Sequence, residues 1–119
     1  EVAREGGTFI LSMKEEDVEL DKDKRVTDTQ AKVCGTVDLG KAETVYLRVD
    51  GDFRLGKDIA TFYYSLDGKD WTRIGSDFKM RFDFRKFFMG TKFGIFNYAT
   101  KTAGGYVDVD YFRYSKKNV

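Results

Sequence analysis

Apolar side chains recur at every second position through several short stretches of this chain, and turn-forming residues separate the stretches. In 42–53, AETVYLRVDGDF, Val45, Leu47 and Val49 fall on one face, and Tyr46, Arg48 and Asp50 on the other. Such alternation is what a half-buried β-strand requires. The clearest hairpin is 58–75, DIATFYYSLDGKDWTRIG, a strand to Ser65, a turn through Asp67-Gly68, and a second strand resuming at Trp71. Asp and Gly tolerate the left-handed backbone that tight turns need. TFILSMK, 8–14, predicts a first strand. Charges then crowd 14–30, where only Val18, Leu20 and Val26 are aliphatic, which suits a solvated hairpin or loop of an outer sheet better than a helix.

Further along, 77–88 mixes charge and aromatics as a short helical turn or an irregular crossover would. TKFGIFNYAT, 91–100, and YVDVDYFRY, 106–114, predict two more strands joined across KTAGG. In the second, Val107, Val109 and Tyr111 share one side, with Tyr106, Asp108, Asp110 and Phe112 opposite. That is the pattern of a wall buried on one face. Six or seven short strands with turns between and no long helix predict an all-β fold, an antiparallel sandwich.

Composition narrows the chemistry. The 119 residues make one domain at most, and 16% aromatics with 41% hydrophobic residues supply a core. Basic and acidic residues balance, 21 against 20, so no strong field favours nucleic acid or an anionic membrane. No stretch is apolar enough to predict a membrane span. The first residues lack an apolar signal core, so the chain reads as mature, internal or cytosolic. Histidine is absent, which removes zinc, copper and His-dependent nucleophilic chemistry and leaves calcium as the metal to consider. Cys34 is the single cysteine and reads as a small buried hydrophobe.

Three blocks in order, VYLRVDGDF, ATFYYSLDGKDWTRIG and MGTKFGIFNYATKTAGGYVDVDYFRY, resemble the later half of one module. It is the concanavalin A-like β-sandwich that follows the catalytic propeller in β-xylosidases and arabinofuranosidases of glycoside hydrolase family 43. The resemblance covers roughly 42–114 and implies a jelly-roll of two antiparallel sheets. It also implies a module longer than this chain. Either the opening strands lie outside residues 1–119, or this is a smaller relative whose single domain closes differently. The family's catalytic carboxylates belong to the propeller, so the resemblance carries no catalytic residue onto this sequence.

Sugar-binding modules stack pyranose rings on aromatic faces and hydrogen-bond hydroxyls with carboxylates, amides and Arg. Tyr46, Arg48, Tyr63, Trp71, Asn97 and Tyr98 are the carbohydrate-binding candidates. Each has a plainer reading: Trp71 closing its own hairpin against Tyr63 or Tyr64, the tyrosines packing at a rim, Arg48 pairing with Asp50 or Asp110. Asp108 and Asp110 share a face and are candidate ligands for structural Ca²⁺, with surface hydrogen bonding as the simpler alternative. Phe87, Phe88 and Met89 suit core packing or contact with a neighbouring domain.

The expected function is a non-catalytic accessory module of a hemicellulose-degrading glycoside hydrolase. Its partner would be plant cell-wall polysaccharide, xylan or arabinoxylan, or the adjoining catalytic domain, which it would brace. Bracing is slightly favoured, because alternation alone does not establish an exposed aromatic row. A discoidin-like adhesion or protein-interaction module is the alternative, and a glycosidase in its own right comes last. An extracellular or periplasmic setting is slightly favoured.

Overall fold

A computed structural model describes residues 1–23, 25–80 and 91–116. Its described residues form six strands and no helix: β1 (Val2–Glu5), β2 (Thr8–Leu20), β3 (Val26–Gly40), β4 (Tyr46–Asp52), β5 (Ile59–Ser65) and β6 (Thr72–Lys79). They build two antiparallel sheets, ordered β1-β2-β3 and β4-β5-β6. The expected all-β, two-sheet architecture is the one observed.

Local chemistry fixes each turn. Glu5 pairs with Thr8 across Gly6-Gly7, both at positive φ (56° and 88°), the mirror-image turn whose twist matches the strands it joins. The β2–β3 hairpin closes on Asp21, whose Oδ1 accepts from the amides of Asp23 and Arg25 at 2.9 Å each. That charged region is therefore a hairpin, as its composition suggested. Missed in the sequence were β1 and the long continuation of β3, where small, polar and β-branched residues alternate without a strong apolar signal.

The core lies where the two sheets cross. Leu11 and Met13 of β2, Leu39 of β3 and Ile74 of β6 are buried together, ringed by Phe9, Val37, Phe62, Tyr64 and Phe78. Cys34, half-buried, packs against this cluster. Register shifts leave Thr27, Cys34 and Leu39 without a direct partner on β2, and such bulges bend a strand and sharpen its twist. The contact with the second sheet runs mainly from β2 and β3 to β6. On β4, Leu47 and Val49 share a face with Tyr64 and Phe62, yet Leu47 stays 57% exposed. The radius of gyration is 16.3 Å, against ~13.5 Å for a compact chain of this length.

Two expected strands do not form. Residues 91–100 and 106–114 run outside both sheets and are exposed, Val107 and Val109 included. Alternation names the face a strand would bury, but a strand exists only when a neighbouring edge takes its amides and carbonyls. Neither segment pairs in that way. The 77–88 stretch begins as the end of β6, with Met80 buried and its amide on the Asp58 carbonyl at 2.8 Å. Phe87, Phe88 and Met89 lie outside the described residues.

Candidate functional site

Strand register gathers four of the six candidate sugar-binding residues on the outer face of the second sheet. Arg48 of β4 lies opposite Tyr63 of β5, which lies opposite Arg73 of β6. Trp71 precedes β6 by one residue and shares the face of Arg73, two positions on. The guanidinium of Arg48 sits 5.4 Å from the Tyr63 ring centroid and 5.7 Å from that of Trp71. This is cation–π distance to both rings.

Arg48 is held in place by its own strand. Its Nε donates to Asp50 Oδ1 at 2.8 Å and its Nη2 to Asp50 Oδ2 at 2.9 Å, a two-pronged fork. The Asp50 hydrogen bonds, foremost among the causes, raise the Arg48 pKa further above its ordinary value. Asp77, beyond a bulge in β6, accepts from Arg73 Nη2 at 2.6 Å and from Thr61 Oγ1 at 3.1 Å. The face thus carries two aromatic rings, two Arg–Asp pairs and a hydroxyl. Arg73, Asp77 and Thr61 had gone unnoticed in the sequence, although Arg73 stands at the same alternation as Trp71.

Tyr46 extends the face towards the β5–β6 turn. Gly68, at φ 76°, lies under its ring, and a Cβ there would be 3.2 Å from Tyr46 Cζ. The turn is knotted by Ser65, 2% exposed. Ser65 Oγ accepts from the Gly68 amide at 2.9 Å and donates to Asp67 Oδ1 at 2.8 Å. Asp67 Oδ1 also takes the amides of Asp70 and Lys69, which, with Ser65, hold the carboxyl at a pKa of about 2. Tyr64, Leu66, Asp70 and Thr72 line a shallow depression beside this knot. Tyr111 reaches Tyr46 from the exposed segment, ring centroids 6.4 Å apart.

Asn97 and Tyr98 are not on this platform. Both stand on the exposed 91–100 segment, where Tyr98 stacks on Phe96 at 5.8 Å. Asp108 and Asp110 are exposed, and among the described residues no three acidic or cysteine side chains converge into a cation site.

Comparison with known families matches residues 5–115 to the beta-xylosidase C-terminal concanavalin A-like domain. The match starts well before residue 42, so β2 and β3 belong to it as fully as the later blocks. A Beta-xylosidase of Formosa agariphila is 30% identical over 90 residues, covering 63% of this chain and 15% of that protein. The chain therefore spans about 15% of the length of this curated relative. No solved structure matches the chain.

Proposed function

The chain belongs to the family of beta-xylosidase C-terminal concanavalin A-like domains, and from that premise we propose that it is a non-catalytic accessory domain of a hemicellulose-degrading glycoside hydrolase that holds xylan or arabinoxylan on the outer face of β4–β5–β6. The observation that carries this reading is the Tyr63–Arg48–Trp71 group with its Asp50 fork. Aromatic rings offer a flat apolar surface to the C–H faces of a pyranose, and the flanking Arg–Asp pairs offer donors and acceptors to its hydroxyls. The charges are internally matched, which suits a neutral polysaccharide. A general acid needs a raised carboxyl pKa. Asp52 and Asp67 are instead both pulled down, to about 2.

Bracing of a catalytic domain is the second reading, favoured by the apolar side chains left uncovered at Leu47, Phe93, Ile95, Val107 and Val109. Affinity electrophoresis in gels containing xylan or arabinoxylan separates the two. Sugar holding predicts retardation of the chain that disappears in Trp71→Ala and Tyr63→Ala. Equal mobility with and without polysaccharide would leave bracing as the function.

A further inference from the structure

The first sheet ends, on its β3 side, in a long polar edge. β3 runs for fifteen residues with β2 on one side and, among the described residues, no strand on the other. Residues 26–33 are exposed throughout, Val26 at 62% and Val33 at 55%. Folded proteins blunt such edges by keeping them short, bulged or covered, because unpaired amides and carbonyls template the addition of another strand. Here the segment 28–33 pairs regularly with Lys14–Glu19 of β2, so its outer edge is straight as well as open.

We propose that β3 pairs antiparallel with β3 of a second copy about a two-fold axis through Gln30, joining the two β1-β2-β3 sheets into one of six strands. Charge selects this partner and this register. Residues directly opposite in an antiparallel pair share a face, so a two-fold axis must pass through a residue rather than between two. An axis at Asp28 opposes Asp28 to itself, and one at Lys32 opposes Lys32 to itself. An axis at Gln30 sets Asp28 against the partner's Lys32, twice by symmetry, with Thr29 against Ala31 on the other face, all within the regular segment 28–33.

The monomer already shows what that arrangement relieves. Within one copy Asp28 lies opposite Glu19, a like-charge pair, while Lys32 lies opposite Glu15. Like charges directly across a ladder destabilise it. None of the ion pairs among the described residues includes Asp28. Pairing through Gln30 seats the partner's Lys32 between Asp28 and the partner's Glu15. The inference is independent of sugar holding, which uses the other sheet.

Sedimentation of the 119-residue chain across a wide dilution series tests it. The expected result is a reversible equilibrium between the 13.7 kDa monomer and a species of twice that mass. Asp28→Lys or Lys32→Asp should each weaken dimerisation about tenfold or more, since two opposed pairs become two like pairs. The double exchange, Asp28→Lys with Lys32→Asp, should restore it. Should a single reversal unfold the chain, the double exchange must still dimerise for the proposal to stand. A chain that stays monomeric, one that polymerises without limit, or reversals that dimerise like the parent would each overturn it.

Discussion

Gly35 of β3 and Gly75 of β6 meet backbone to backbone where the sheets cross: a Cβ on Gly35 would lie 2.9 Å from the Gly75 amide nitrogen. A Cβ on Gly75 would collide with Met13 Sδ, and its φ of 72° strains any side chain besides. Gly35→Ala is therefore expected to destabilise the fold by about 1–3 kcal/mol, as overpacking does. Gly75→Ala should cost more, adding backbone strain to the clash. In a Met13→Ala background the clash part of the Gly75→Ala penalty should shrink while the strain remains, a non-additivity readable from urea midpoints. A Gly35→Ala midpoint at or above that of the parent would mean the sheets do not touch here.

The β5–β6 turn makes a second, pH-dependent prediction. Asp67 and Asp52 have folded pKa values lowered from 3.8 to about 2, Asp67 chiefly by the Asp70 amide and Asp52 chiefly by Arg54. A depressed carboxyl pKa contributes stability that is present above the unfolded value and lost as pH falls through the folded one. The melting temperature should thus be insensitive to these groups from pH 7 to about 5 and fall between about pH 4 and pH 2. Asp67→Asn should flatten part of that acid limb, and circular dichroism melts across the range would reveal it. An acid limb identical in Asp67→Asn would remove the turn from the account.

Ser65 anchors the same knot from inside. Its hydroxyl accepts amides from Gly68 and, at 3.3 Å, Asp67, while donating to the Asp67 carboxylate. Ser65→Ala strands those amides beside a buried methyl and should lower stability by about 1–3 kcal/mol. Ser65→Thr keeps the hydroxyl and should recover part of the loss. Denaturant titration of both variants reads the difference.

How far the sequence could be read follows from the kind of information each element carries. β4, β5 and β6 announce themselves because alternation, the Asp67-Gly68 turn and aromatic β-formers agree. The same parity put Tyr46, Arg48 and Asp50 on one face of their strand, but only the register of β4 with β5 and of β5 with β6 brings Tyr63 and Trp71 beside them. Parity could not say that Asp50, two residues along the same strand, rather than Asp110, would take Arg48, since that depends on which strands neighbour each other. β3 was hidden because VTDTQAKVCG lacks large apolar residues, its strand state being imposed by the pairing partner β2. Residues 106–114 show the converse, a strong pattern that pairs with none of the described strands.

Calcium gives the next prediction. Asp108 and Asp110 supply two carboxylates on an exposed segment, whereas Ca²⁺ takes six to eight oxygens. With no third acidic group converging among the described residues, the melting temperature should be the same in excess Ca²⁺ and in excess chelator. A rise with Ca²⁺ that vanishes in Asp108→Asn would instead establish a site there.

Trp71 is the single tryptophan of the chain, so its fluorescence reports on the platform alone. It is half-buried, with Arg48 over the ring. Arg48→Ala uncovers that face, and the emission should shift to the red and become more accessible to acrylamide. Arg48→Lys should behave nearly as badly, because an ammonium is a single point donor and cannot hold the two parallel bonds to Asp50 while a planar guanidinium face covers the rings. The stability cost of Arg48→Ala should still be only about 1 kcal/mol, the pair being exposed and solvent-screened. A large spectral change with a small stability change is therefore the expected signature of a surface platform rather than a structural clamp. Xylo-oligosaccharides titrated into the parent should then alter the emission saturably, and Tyr63→Ala should lose the response while Trp71 remains. An emission indifferent to the sugar, from a Trp71 that Arg48→Ala demonstrably exposes, would show that these rings pack on each other and hold nothing else.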